Sequence, residues 1–254
     1  MGSGLRTDRL ISLLSPMVFL LLWEISGRAG FINPQFFPMP SSIFDRFVVL
    51  VANGELLKHV SVSLQRLFWG FVVGALPAIV FGIAMGLSTI VRAMMAPLVA
   101  ATYPLPKSAI LPLILLIFGY GEASKIVMVA MGVFYPILIN TASGVRQIPS
   151  IYLDVGTNFN ASRTMVFFSI ALPGALPSIL AGVQLGVGMG LILITIAEMI
   201  GANSGIGFMI WRAWQTLSVE TMYVGLLTIA VLGYVLTTAL VEMERWLIPG
   251  RRPA

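Results

Sequence analysis

The feature that most constrains this chain is a series of long stretches almost free of charged residues. Six such apolar windows occur, at residues 10–25, 67–87, 94–118, 126–144, 179–200 and 222–241. A helix needs about 20 apolar residues to cross the hydrocarbon core of a bilayer. The windows therefore predict an all-α polytopic membrane protein with about six transmembrane helices and with both ends on the same side.

The composition excludes a water-soluble globule. Of 254 residues, 58% are hydrophobic and 10% are charged, whereas soluble domains contain about 45–50% apolar and about 25% charged residues. The absence of cysteine rules out disulfides, cysteine-ligated zinc and thiol catalysis, and His59 is the single histidine. We therefore expect no catalytic residue and no metal site in this chain.

The distribution of basic residues predicts the orientation, because loops rich in Lys and Arg stay in the cytoplasm. With both termini inside, eight arginines lie in the cytoplasm: Arg6, Arg9, Arg92, Arg146, Arg163, Arg245, Arg251 and Arg252. Five basic residues then lie outside: Arg28, Arg46, Lys58, Arg66 and Arg212. We expect cytoplasmic termini and no nucleic-acid partner, because no basic run is interleaved with aromatic residues.

Proline and glycine modify two of the predicted spans. The third window contains four prolines: Pro97, Pro104, Pro106 and Pro112. Because proline interrupts helices, we expect this span to be broken. In the fifth window, three glycines follow one another at intervals of four residues: Gly182, Gly186 and Gly190. They predict close helix packing, for which a second subunit is one candidate partner.

The segment 28–66 is an amphipathic loop on the predicted outer side. Ser41-Ser42 is a candidate N-cap for a short helix at the membrane interface. Three aromatic residues of later segments, Trp211, Trp214 and Tyr223, predict a belt at the same interface.

Residues 146–172 form the longest polar stretch between the late spans, and the predicted orientation places them in the cytoplasm. We expect a short helix over 149–157, a break at 158–160, and a second helix from about residue 161. Asn tolerates left-handed backbone geometry, so Asn160 can turn the chain between the two helices. From its residues alone, this stretch is equally compatible with a solvated connector.

The same stretch resembles the EAA signature of ABC importer permeases. That signature reads Glu-Ala-Ala, three residues, Gly, nine residues, Ile-x-Leu-Pro. This chain has Asp154-Val155-Gly156, three residues, Asn160, nine residues and Ile170-Ala171-Leu172-Pro173. Asp154 keeps a carboxylate and Asn160 keeps a residue suited to a turn. Gly156 costs about 1 kcal/mol relative to Ala inside a helix, so we expect it to loosen the first helix.

Further motifs, spread over nearly the whole chain, resemble the permeases of nitrate, sulfonate, taurine and bicarbonate importers. They are Phe37-Pro38-Met39-Pro40-Ser41, Ser63-Leu64-Gln65-Arg66 with Gly70-Phe71, Leu111-Pro112 with residues 118–126, residues 172–177, Ala197-Glu198 and Gly205-Ile206-Gly207. The resemblance implies one transmembrane permease domain over residues 1–254 with the type I ABC importer permease fold. It also implies that residues 146–172 are an EAA-type coupling loop.

The resemblance implies a set of partners in the bacterial inner membrane. A second permease copy completes the pathway as a homodimer, two cytoplasmic ATPase subunits bind the coupling loops, and an extracytoplasmic solute-binding protein delivers a small solute, typically an organic or inorganic anion. The chain lacks the G-x-x-x-x-G-K-[ST] sequence that cradles ATP phosphates. We therefore expect no cofactor in this chain and expect ATP and magnesium in the partner ATPase.

The resemblance assigns ATPase coupling to the turn of the loop. The residues concerned are Asp154, Val155, Gly156, Asn158, Asn160, Ala161, Ser162 and Arg163. Asp154 is expected to pair with a basic residue of the ATPase, and the alternative is an ordinary carboxylate at a helix end.

Polar groups inside a membrane are costly and are therefore candidates for function. Candidates for the translocation pathway are Tyr103, Lys107, Asn140, Gln184 and Glu198. Lys107 either contacts an anion or extends to the interface. Glu198 either lines the pathway or pairs with a neighbour, and the two amides either line it or form hydrogen bonds between helices.

Two other functions are compatible with the sequence. An ion-coupled secondary transporter could use Glu198 or Lys107, although such proteins usually show repeat symmetry between their halves. A membrane scaffold that only recruits an ATPase is the other. The solute and the identity of the second permease subunit stay open.

Overall fold

The computed structural model describes residues 3–248, and it describes side chains for residues 14–156 and 158–248. Within this part of the chain the fold is entirely helical. The α-helices are α1 (Ser3–Arg28), α2 (Pro40–Ala52), α3 (Glu55–Leu87), α4 (Thr89–Thr102), α5 (Leu111–Phe118), α6 (Glu122–Arg146), α7 (Ser150–Asn158), α8 (Arg163–Val166), α9 (Leu172–Gly201), α10 (Ile206–Gln215) and α11 (Val219–Leu247). A 3₁₀ turn covers Lys107–Ile110 and a π-helical turn covers Phe167–Ala171.

Among the described residues, four helical segments are long and apolar enough to cross a bilayer: Glu55–Leu87, Glu122–Arg146, Arg163–Gly201 and Val219–Leu247. Helix α4 and the segment Lys107–Phe118 are bent by 85° relative to each other, and they make up to five spans if the pair crosses as one broken span. The first predicted window lies in α1, whose early side chains are outside the described set. The prediction of an all-α protein with about six spans is confirmed.

Helices α3, α6 and α9 form the centre of the protein. Successive contacts show that α3 and α6 run parallel and that α9 runs antiparallel to both. A Cβ added at Gly74 would lie 2.5 Å from the carbonyl oxygen of Ala130, and one added at Gly82 would lie 2.6 Å from the Cβ of Thr141. Only glycine permits such a close approach of α3 to α6.

The predicted close packing of the fifth span is confirmed, but its partners belong to the same chain. Gly182 of α9 faces the backbone of α6 near Pro136, and Gly190 faces Leu67 of α3. A second subunit is therefore not needed to explain these glycines.

The predicted break in the third span is also confirmed. Helix α4 ends at Thr102, and Pro104 and Pro106 follow directly, before the 3₁₀ turn. Pro97 lies inside α4. Pro112 lies in the first turn of α5, where a backbone N–H would have no acceptor within the helix, so the proline costs no hydrogen bond.

Two helix starts differ from the predictions. Helix α3 begins at Glu55 and not near residue 67, because its first turns contain polar residues that a search for apolar windows omits. The predicted cap at Ser41-Ser42 is wrong. Met39 precedes α2 without a side-chain cap and Pro40 occupies the first turn, whereas the Ser41 hydroxyl donates to Glu24 of α1 at 2.9 Å.

The two ends of the bundle carry different features. At one end, α6 leads into residues 146–172 and α9 leads out of them. At the other end, Arg46 of α2 donates to the Thr221 hydroxyl of α11 at 2.8 Å, and the rings of Trp23 and Tyr223 lie 5.7 Å apart. Arg6, Arg9, Arg251 and Arg252, used in the orientation argument, lie outside the described side chains.

The predicted aromatic residues lie at this second end. The rings of Trp211 and Trp214 in α10 lie 4.7 Å apart, and Tyr223 lies near the start of α11. Helix α10 is joined to the end of α9 by a short turn.

The packing of α3 on α6 gives a first testable prediction. Gly74→Ala should lower the free energy of unfolding by about 1–3 kcal/mol, because its methyl group meets the backbone of Ala130. Gly188→Ala in α9 is the matched control, since nothing lies within 4 Å of its added Cβ. The control should gain about 0.5–1 kcal/mol from its higher helix propensity. Unfolding of the solubilised chain measures both, and equal effects would contradict the packing account.

Candidate functional site

The polar stretch 146–172 folds as a helix, a turn and a second helix. Helix α7 is followed by a turn, and α8 begins after Ser162, whose hydroxyl oxygen accepts a hydrogen bond from the Met165 N–H at 3.2 Å. The helix then continues through the π-helical turn Phe167–Ala171 into α9. The helix-turn-helix predicted from the sequence is confirmed.

The turn depends on Asn160. Its φ of 50° is in the left-handed region, as predicted. The N–H of Ala161 donates to the carbonyl oxygen of Gly156 at 2.8 Å and closes the end of α7. Helix α7 is continuous across Gly156, which is buried, and a Cβ there would lie 3.1 Å from the Ile170 side chain. Gly156 therefore lets α7 lie against the second helix.

The outward side of this helix-turn-helix combines charge and exposed apolar surface. Asp154, Asn158 and Arg163 are exposed. Val155 is 48% exposed and Phe159 is 82% exposed. Large apolar side chains on a polar segment beyond the spans form a surface suited to another protein.

A second constellation lies at the opposite end of the bundle, and we call it the ionic cluster: Ser63, Arg66, Glu122 and Glu198. The Arg66 side chain is 4% exposed and Glu198 is fully buried. Arg66 donates from Nε and Nη2 to the two carboxylate oxygens of Glu122, each at 2.6 Å. It donates from Nη1 to Glu198 at 2.9 Å. One guanidinium therefore joins α3 to both α6 and α9.

Glu198 is the acceptor at the centre of the ionic cluster. Its carboxylate accepts from the Ser63 hydroxyl at 2.8 Å and from the Gly207 N–H at 3.0 Å, in addition to Arg66. A Cβ at Gly205, whose φ is 112°, would lie 2.2 Å from the Glu198 carboxyl carbon. The contacts of Glu198 therefore hold the segment that leads into α10.

Other side chains of α3 and α6 hold the same segment. His59 Nδ1 accepts from the Gly205 N–H at 3.0 Å, and Arg66 donates to the carbonyl oxygen of Ser204 at 2.6 Å. Lys125 donates to the carbonyl oxygen of Gly201. Arg66 and Lys125 lie in sequence motifs to which we assign no role beyond the family resemblance, and His59 lies in none of those motifs. To predict that these residues form a junction, one must know which helices meet.

The structure separates the predicted pathway residues. Tyr103 and Lys107 lie together at the wall of a cavity of about 430 Å³ beside α6 and α9. The Asn140 amide donates to the Pro136 carbonyl oxygen within α6 at 2.8 Å, and the Gln184 amide donates to Glu244 of α11 at 3.1 Å. Over the described residues, no group of three His, Asp or Glu side chains could hold a metal ion.

Comparison with known proteins decides the family. Residues 78–253, more than half of the chain, match the family described as binding-protein-dependent transport system inner membrane component. The chain belongs to this family.

Two relatives align with nearly the whole length of the permease. It is 32% identical over 237 residues to the taurine transport system permease protein of Escherichia coli (strain K12), covering 91% of this chain and 86% of that protein. It is also 32% identical over 239 residues to a putative aliphatic sulfonates transport permease protein of Bacillus subtilis (strain 168), covering 94% and 87%.

These matches confirm the family that the motifs indicated. The chain is an ABC importer permease of the sulfonate and taurine group, with the type I permease fold. Together with the apolar helices, they support a multi-pass protein of the inner membrane. They give no support to an ion-coupled secondary transporter.

The turn of the permease gives a second prediction. Asn160→Val should lower stability by about 1–2 kcal/mol, because a β-branched residue is strained at a φ of 50°. Asn160→Gly should be tolerated, since glycine adopts this conformation without strain. Thermal unfolding of both variants measures the difference, and equal stability of the two would contradict the left-handed turn.

The ionic cluster gives a third prediction. Arg66→Met should lower the free energy of unfolding by about 3–5 kcal/mol, because it leaves a buried carboxylate without its cation. Arg66→Met with Glu198→Leu should cost less than the two single changes summed, because both charges are then removed.

The matched control for the ionic cluster is Arg245→Met, which breaks an exposed pair with Glu242. Such surface pairs contribute about 0–1 kcal/mol. Unfolding in detergent compares the variants. If Arg66→Met costs no more than Arg245→Met, the ionic cluster does not stabilise the helix junction.

Proposed function

We propose that this permease forms half of the pathway of an ATP-driven importer, and that residues 146–172 dock on a separate cytoplasmic ATPase. An extracytoplasmic binding protein delivers the small solute, and a second copy of the permease completes the pathway. The observation that carries the docking proposal is the exposed apolar side of α7 beside Asp154, on a segment outside the spans.

The family supports these partners. Its description names a binding-protein-dependent transport system, and the relatives are permease components for taurine and aliphatic sulfonates. In the proposal, ATP and magnesium belong to the ATPase, and both termini of the permease are cytoplasmic. A small organic or inorganic anion is the proposed solute.

The proposed docking surface combines a charge with apolar anchors. Phe159 and Val155 would be buried in a cleft of the ATPase, where large apolar groups contribute most to binding. Asp154 would pair with a basic residue there, and Arg163 would clamp the second helix. The remaining proposed coupling residues shape the turn that carries this surface: Gly156, Asn158, Asn160, Ala161 and Ser162.

Coupling follows from how this surface is attached. Helix α7 is joined to α6 by residues 147–149, and α8 runs through the π-helical turn into α9. Because α6 and α9 are closely packed, a displacement of α7 is transmitted as rigid motion of spans. If residues 146–172 were only a solvated connector, neither an exposed phenylalanine nor helices attached so directly to two spans would be expected.

The pathway is proposed on the side of the Lys107 cavity. Tyr103 and Lys107 line this cavity of about 430 Å³. Asn140, Gln184 and Glu198 stay predictions as pathway residues. The hydrogen bonds of Gln184 and Glu198 join different helices, whereas that of Asn140 stays within α6.

The coupling proposal gives a fourth prediction. Asp154→Lys should reduce solute-stimulated ATP hydrolysis of the reconstituted importer by about tenfold or more. The introduced lysine would repel the basic residue of the ATPase with which Asp154 is proposed to pair. Asp45→Lys is the matched control, since Asp45 is an exposed acid of α2 at the other end of the bundle. The control should leave coupling unchanged. Full coupling in the Asp154 variant would refute its assigned role.

A further inference from the structure

Lys107 is a buried cation at the edge of an open cavity. Its residue is 9% exposed, and the cavity of about 430 Å³ lies against the middle of α6 and α9. Ser108 and Tyr103 line the same cavity and are exposed, so it is accessible from outside the chain.

The broken span creates the setting for this ammonium group. Because α4 ends at Thr102, carbonyl oxygens of its last turn lack helical partners. Lys107 Nζ donates to the Thr102 carbonyl oxygen at 3.1 Å and to that of Tyr103. It also lies 4.5 Å from the ring centre of Tyr135. An ammonium has three N–H groups, so two carbonyl bonds leave one donor for a ligand.

The charge of Lys107 is not balanced locally. No carboxylate of the described residues lies within 4 Å of its Nζ, and no Asp or Glu is among the side chains that line the cavity. Carbonyl oxygens and aromatic faces hold a cation without neutralising it. By contrast, Arg66 is paired with two carboxylates. The Lys107 cavity therefore carries a positive charge that no carboxylate of the described residues neutralises, in surroundings of low dielectric constant that strengthen its attraction for an anion.

The rest of the cavity is largely apolar. Its wall on α9 consists of Met189, Ile192, Leu193 and Ile196. Such a wall cannot replace the hydration shell of a compact inorganic dianion, which needs many donors. It suits a short carbon chain, and the volume is within the range of small-molecule sites.

We propose that this cavity is a binding site for a small organic monoanion, with its sulfonate or carboxylate head on Lys107 and its carbon chain against the α9 wall. This inference rests on the proposed function, because it assigns the site to the translocation pathway. Among the anions that the family resemblance left open, it favours an organic monoanion over an inorganic dianion.

The absence of cysteine from this chain allows a direct test. Ser108→Cys places a single thiol at the cavity in the full chain, assembled with its partner subunits in membrane vesicles. The thiol is labelled with the anionic 2-sulfonatoethyl methanethiosulfonate and with the cationic 2-(trimethylammonium)ethyl methanethiosulfonate. The ratio of the two rates reports the charge of the cavity.

In the Ser108→Cys background, Lys107→Met should lower the anionic-to-cationic rate ratio by about tenfold or more, as expected for removal of a unit charge a few ångströms away. Lys107→Arg should preserve the ratio, which would show that the fold tolerates a change at this position. Lys58→Met, which removes an exposed lysine of α3, is the matched control and should leave the ratio unchanged. An unchanged ratio in Lys107→Met would overturn the anion site.

Protection experiments test the class of ligand without any further variant. Propane-1-sulfonate should slow labelling of the Ser108→Cys thiol at concentrations at which sodium sulfate and the neutral ethyl methyl sulfone do not. Equal protection by sulfate would overturn the organic monoanion, and equal protection by the sulfone would overturn the role of charge.

The labelling needs neither ATP hydrolysis nor the binding protein, so its outcome separates the two proposals. A normal charge ratio with failed coupling to an ATPase would remove only the proposed function. Intact ATP-driven uptake with an unchanged ratio in Lys107→Met would remove only the anion site.

Discussion

The close approach of α3, α6 and α9 is the constraint on which the rest of the structure depends. Lipid is as apolar as the side chains, so helices in a bilayer associate through close packing and hydrogen bonds and not through exclusion of water. At Gly74 and Gly82 the backbones of α3 and α6 approach so closely that a methyl group would collide with its neighbour. A single rigid unit of three helices results, and both candidate sites are attached to it.

The two ends of this unit have complementary roles. At one end, the guanidinium of Arg66 and the carboxylate of Glu198 fasten the turn before α10 to all three helices. At the other end, α6 and α9 continue into the helix-turn-helix with the exposed Phe159. Between them lies the cavity with Lys107, made where prolines break the third span. In the proposed importer, movement of the loop therefore reaches the cavity through packed helices.

Much of this could be predicted from sequence, because the bilayer demands long apolar helices and because the spacing of the loop motif is local. The spans, the break in the third one and the left-handed turn at Asn160 follow from such rules. The apolar windows do not indicate the start of α3, because Arg66 and its polar neighbours are buried only by partners distant in sequence. The ionic cluster needs the helix register, which no local pattern specifies.

The most direct test of the account is solute uptake by proteoliposomes that contain the permease and its ATPase. The binding protein is supplied in complex with the solute that it carries. Uptake should require all three components and ATP on the side of residues 146–172, and it should persist when ion gradients are dissipated. Uptake driven by an ion gradient in the absence of the ATPase would contradict the account.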